Sequence, residues 1–252
     1  MVVQDTMFAA EDRNCTRDTL FDGRLIIHQP KTGYRFSRDA VLLARLTTAR
    51  SGDRIVDLGA GCGVVALIMA YRGRGQRWWA VEIQEELRRL AEKNVRINGL
   101  SERIQVIGAD LRRICDVLPR EAFDLVVSNP PYRRIASGRL CKDRQRAIAR
   151  HELAATVKDV FRVGNDLLRA KGRLALVYPA VRLQHLMVAA KHYDFSAKRL
   201  TLVYSRPAER ACLVHLECIK GGGEELHVEP SLVMYEADGS WSEAMRRIYE
   251  MP

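Results

Sequence analysis

No histidine stands between His28 and His151, and the six histidines and six cysteines of this 252-residue chain show neither metal-ligand spacing nor a CxxC pair. A structural zinc site draws on such close-set ligands, so no metal is expected. Long apolar runs are missing too. The stretch Val64 to Ala70 has seven residues, where a membrane-spanning helix takes about 20. The start, Met1-Val-Val-Gln-Asp-Thr-Met7, lacks the charged-then-apolar pattern of an export signal. A cytoplasmic chain is expected, with reduced thiols, no membrane segment and no obligatory protein partner. No internal repeat is visible, and 252 residues suffice for one packed domain with extensions.

What the chain does have is positive charge. Forty-one Lys and Arg stand against 31 acids, a net of +10, which favours polyanions. The charge is concentrated between Arg133 and Arg150, where seven basic residues accompany one acid. A charge run is ordinarily a solvated face. This one directly follows the motif Asn129-Pro130-Pro131-Tyr132, and Arg133, Arg134, Arg139, Lys142, Arg144 and Arg146 are therefore candidates to grip phosphates.

The motif itself follows the apolar run Asp124-Leu-Val-Val-Ser128, which has the length of a strand. Neither proline can continue a strand ladder, because each lacks a backbone N–H and has φ fixed. A stiff loop results, presenting one amide side chain and one aromatic ring. Those groups suit a planar NH₂ whose lone pair is delocalised. Hydrogen bonds accepted by the Asn129 side-chain oxygen and a Pro130 carbonyl would favour the pyramidal, nucleophilic form, with Tyr132 stacked on the ring beside it. A bare loop breaker is the bland alternative.

Upstream, Arg54-Ile-Val-Asp57-Leu-Gly59-Ala-Gly61-Cys-Gly63 runs from a strand into a glycine turn, and Val64 to Ala70 reads as a buried helix. Strand, glycine turn and helix start make a concave site where backbone approaches a ligand. The segment from Gly61 loosely fits a dinucleotide fingerprint. Asp57 would repel a pyrophosphate, however, and Val64 occupies the third small position. S-adenosylmethionine fits better, with its ammonium near Asp57 and the turn of Gly59 and Gly61. Glu82 ends a second strand 25 positions after Asp57, placed to accept ribose hydroxyls. Ile83 could pack on adenine, and Asp110, after the strand Ile104–Ile107, could accept from its amino group. Each acid alone is more often a cap or a solvated charge; three at successive strand ends suit one ligand.

Elsewhere, helices are expected over 38–48, 84–98, about 152–168 and 179–190. Strands are expected at 172–178, 196–204 and 211–219, the last two as a hairpin. Leu20–Ile27 alternates like one strand of a small hairpin, and Ser240-Trp-Ser-Glu243 spells a capping box for a last helix. Alternating strands and helices give an α/β fold, a mostly parallel sheet with helices on both faces and a terminal antiparallel hairpin. The divisions expected are an N-terminal hairpin and helix (1–50), a core (51–220) and a C-terminal extension (221–252).

The glycine turn and Asn-Pro-Pro-Tyr motif resemble class I S-adenosylmethionine-dependent methyltransferases acting on exocyclic or amide nitrogens. Gln29-Pro-Lys-Thr-Gly-Tyr-Arg-Phe-Ser-Arg-Asp-Ala-Val-Leu-Leu-Ala44 and the tail from Gly221 to Gly239 are similar to the bacterial valine-tRNA adenine-37 N6-methyltransferases. The resemblance covers nearly the whole chain. It implies a Rossmann-like fold, with Asp57, Gly59, Gly61, Glu82 and Asp110 holding cofactor. Asn129, also near the cofactor, would hold with Pro130, Pro131 and Tyr132 the 6-amino group of an adenosine in tRNA. The stretch from Tyr132 to His151 is more basic than that family's pattern. Open alternatives are a release-factor glutamine, a ribosomal guanine 2-amino group or a DNA adenine as the target, and a non-catalytic RNA-binding protein.

Overall fold

The computed structural model describes residues 14–33, 35–130 and 155–250. Nine strands form one sheet in the order β10-β8-β9-β7-β6-β3-β4-β5, with β11 also pairing β8. The parallel centre comprises β3 (Arg54–Leu58), β4 (Arg77–Glu82), β5 (Ile104–Gly108), β6 (Phe123–Ser128) and β7 (Leu168–Pro179). β8 (Phe195–Tyr204) and β9 (Ala211–Lys220) add the antiparallel hairpin. The short β10 (His227–Val228) and β11 (Leu232–Val233) pair with β8 in parallel, so its outer edge is covered.

Parallel strands are near-continuous apolar runs because helices cover both faces. One apolar layer gathers α1 (Arg38–Leu46), α2 (Val64–Tyr71) and α3 (Glu85–Ile97) over Ile55, Leu125 and Val127. The other packs α4 (Val157–Leu167) and α5 (Leu183–His192) against Val56, Val126 and Leu174. A last helix, α6 (Glu243–Tyr249), joins the first layer through Met245 and Ile248. No helix among the described residues is long and apolar enough to cross a membrane.

Two local expectations are corrected. Leu20–Ile27 is not one strand. β1 (Cys15–Leu20) ends there, and β2 (Leu25–Pro30) begins after a turn in which Phe21, Asp22 and Gly23 all have positive φ. Phe21 is buried at the turn, so the apolar alternation runs through it unbroken. The cap of α6 is Ser242, which accepts from Met245 N at 3.1 Å, rather than Ser240. The Tyr235–Trp241 bridge holds Ser240 back in the preceding turn.

Candidate active site

The carboxyl ends of β3, β4, β5 and β6 form one edge, where open α/β sheets place ligands. After β3 the chain turns through Gly59, Gly61 and Gly63, whose φ values are +76°, +58° and +85°. Side chains rarely adopt that backbone. At Gly63 a Cβ would also stand 3.4 Å from that of Ala91 on α3. Gly59 and Ala60 donate to Val81 O at 3.0 and 2.9 Å, tying the turn to β4.

Asp57, Gly59 and Asn129 line one cleft, together with Phe36, Ala40 and Cys62. Asp57 is 1% exposed, and its Oδ2 is buried with no hydrogen-bond partner among the described residues. Burial pushes its carboxyl up to about 7; the Ala66 backbone N–H pulls the other way, and nearby Glu82 adds to the rise. Asn129, at the end of β6, is half-buried, and its Oδ1 is likewise buried and unpartnered among the described residues. Buried polar atoms nearly always find partners. Two acceptors without partners on one cleft suit a ligand that brings donors.

Glu82 is buried at the end of β4. Its Oε2 accepts from Gly61 N at 2.9 Å and its Oε1 from Gln84 N at 2.8 Å. Burial raises its pKa, and those N–H groups work against the rise. Each oxygen retains a lone pair with which a diol could bond.

Ile83 and Asp110 lie along the same edge, outside the cleft's lining. Ile83 is 36% exposed, an open apolar surface. Asp110 caps the 3₁₀ turn Leu111–Asp116 and is ion-paired to Arg112 at 2.6 Å. The hydrogen-bonded Arg112 guanidinium holds its carboxyl below the usual range. Pro130 is described and buried, whereas Pro131, Tyr132, Arg133, Arg134, Arg139, Lys142, Arg144 and Arg146 lie outside the described residues, as does His151.

Four contributors were not named from the sequence. Phe36 and Ala40 bring the start of α1 to the cleft. Ser128 is fully buried and donates to Leu58 O at 2.8 Å, locking β6 to β3 directly before Asn129. Asn94, polar on the apolar face of α3, was a legible signal.

The donor set tests well against S-adenosylmethionine. A cationic ligand would meet the lone carboxylate of Asp57, the glycine turn admits close approach, and Glu82 faces the same turn. Asp57, the Gly59–Gly63 turn and Glu82 are the residues that would hold it.

Residues 37–191 match the methyltransferase small domain family. A tRNA1(Val) (adenine(37)-N6)-methyltransferase from Aeromonas hydrophila is 28% identical over 218 residues, 86% of this chain and 89% of that one. Its counterpart from Porphyromonas gingivalis is 32% identical over 187 residues, 72% of each chain. Among solved structures, one described as a predicted O-methyltransferase from Agrobacterium tumefaciens superposes with a TM-score of 0.67 at 25% identity, covering 84% of this chain and 95% of that one. M. jannaschii TYW2, solved in complex with AdoMet, has a TM-score of 0.55 at 13% identity over 82% and 85% of the two chains, a likeness of fold alone. The chain is an S-adenosylmethionine-dependent methyltransferase and belongs to the family of the tRNA1(Val) (adenine(37)-N6)-methyltransferases, built on the methyltransferase small domain.

Proposed function

We propose that this methyltransferase, acting in the cytoplasm, modifies the exocyclic 6-amino group of an adenosine in a tRNA anticodon loop, at position 37 of a valine tRNA. The observation that carries the reading is Asn129 Oδ1, without a partner among the described residues and lining the same cleft as Asp57. An acceptor there binds the N–H of a planar amine and leaves the nitrogen lone pair facing the cleft. A base in a single-stranded loop is extruded at little cost. When bound, S-adenosylmethionine supplies an electrophilic methyl group on a sulfonium. The chain's own part is positioning: Ser128 fixes β6, Asn129 and Pro130 orient the amine, and Tyr132 stacks on the ring. The basic residues from Arg133 to Arg146 grip the flanking phosphates. Ile83 would offer an apolar face to the cofactor's adenine, and Asp110 would accept from its amino group in place of Arg112.

The relatives' name supports tRNA adenine over a release-factor glutamine, an rRNA guanine or a DNA adenine. Tritium transfer from labelled S-adenosylmethionine into tRNA, ribosomal RNA, DNA and release factor, offered separately, tests the choice. Label in tRNA, digested to N6-methyladenosine, is the expected result. Label in another pool overturns the substrate and keeps the chemistry.

A further inference from the structure

Strand β2 pairs with β1 on one edge, and on the other it meets no strand among the described residues. That edge lies against α3. Asn98 Oδ1 accepts from Ile26 N at 2.9 Å, and Asn98 Nδ2 donates to Ile26 O at 2.7 Å. One helical turn earlier, Asn94 Oδ1 accepts from His28 N at 2.7 Å, and Asn94 Nδ2 donates to His28 O at 2.9 Å. A helix advances about 6 Å over four residues. A strand advances about 6.6 Å over two, so the two carboxamides meet alternate backbone groups in step, as a false neighbouring strand.

Asn94 does more than Asn98. The same Nδ2 also donates to Cys62 O, in the glycine turn, at 3.0 Å. Asn94 and Cys62 are both fully buried. The turn is thus pinned from two sides, by Glu82 on Gly61 N and by Asn94 on Cys62 O. Glycines on either side of Cys62 supply little rigidity of their own. Next to His28, Gln29 Oε1 accepts from Phe36 N at 3.0 Å, so the same strand also fixes a residue of the cleft.

We propose that Asn94 is a positioning residue for the cofactor turn, making the N-terminal hairpin a buttress of the S-adenosylmethionine site; this rests on reading that turn as the cofactor's. Without the amide, the Cys62 carbonyl is buried with no donor and its peptide is free to rotate. Asn98 docks the same hairpin through Ile26, donates also to Asn94 O at 2.8 Å, and makes no hydrogen bond to the turn among the described residues.

That symmetry supplies the test. Titration calorimetry with S-adenosylmethionine compares Asn94→Ala and Asn98→Ala, with Tm read alongside. Each variant gives up two hairpin bonds and one more, to Cys62 O in Asn94→Ala and to Asn94 O in Asn98→Ala, and the fully buried Asn94 should cost the more in Tm. Loss of the Cys62 bond should weaken cofactor binding about tenfold in Asn94→Ala, while Asn98→Ala stays within about twofold. Should Asn94→Ala fail to fold, Asn94→Asp against Asn98→Asp carries the comparison, since aspartate keeps the acceptor and loses the donor. Equal affinities within the folded pair overturn the proposal. A wild-type chain that binds no S-adenosylmethionine overturns the cofactor reading itself, and the proposal with it.

Discussion

Two buried acids share one row of the sheet and are treated in opposite ways. The pairing registers run Ala80–Asp57–Val127–Ala175–Glu217–Arg199, so both carboxyls leave the same face. Three strand spacings separate them, about 14 Å. Glu217 is surrounded by donors: Thr48 N at 3.0 Å, Thr48 Oγ1 at 3.1 Å and Arg199 Nη1 at 3.0 Å. Asp57 is flanked on its row by Ala80 and Val127, and its Oδ2 has no partner among the described residues. A buried charge left without a cation is costly, and the fold supplies one to Glu217 from the neighbouring strand. Leaving Asp57 at the cleft with the Ala66 N–H but no cation therefore reads as a ligand's place kept open.

Breaking the open end should affect chemistry first. Asn129→Ala removes the other orphaned acceptor and should lower kcat by about 10²–10³, with cofactor affinity unchanged, as single-turnover rates and calorimetry would show. Normal turnover would mean that the amine is held elsewhere. Asp57→Asn should weaken S-adenosylmethionine binding by about 100-fold, the effect of losing a desolvated charge partner. Its Tm at pH 8 should rise, because a buried unpaired carboxylate is gone. A lower Tm would show that Asp57 is a structural group.

The paired end should respond the other way. Glu217→Gln leaves Arg199 without its buried partner, though Glu229 still holds that guanidinium at 2.8 Å. Stability should fall by about 2 kcal/mol in urea unfolding, less than a fully buried pair would lose because Arg199 is partly exposed. Cofactor affinity should stay within about twofold, since the sites are more than 10 Å apart.

The edge of strand ends was legible because its signals are local: apolar runs, a glycine turn and an acid where each strand stops. Asp110 shows the limit of such signals. The same position suits a cofactor contact and a helix cap, and only the fold shows Arg112 closing over it. The turn at Phe21 was hidden by its own burial, although Asp22-Gly23 was a turn signal in plain sight. The carboxamide clip is long-range, 66 residues from Asn94 to His28, and pattern alone names no partner at that distance. Asn94 and Asn98 at i,i+4 on α3 were visible as polar residues one turn apart, with Asn94 among buried Leu90, Ala91 and Val95.

The comparison is sharpened last by pH. In the folded chain Asp57 titrates at about 7, against 3.8 for the free side chain. A raised carboxyl stabilises the fold fully below about pH 4 and loses that contribution as pH climbs through 7, by up to about 4 kcal/mol. His215 slopes the opposite way. Burial pushes it down to about 3, so its neutral ring contributes fully above about 6.5 and less as pH falls. The Asp57 term is therefore read as the difference between wild type and Asp57→Asn, where His215 cancels. A cationic ligand selects the ionised carboxyl, so affinity should run against stability. Binding of S-adenosylmethionine should strengthen about tenfold per unit from pH 5 to 7 and level off above. Asp57→Asn should flatten both curves. A slope in affinity that survives the substitution would place the titrating group elsewhere on the edge, with Glu82, also raised by burial, next in line.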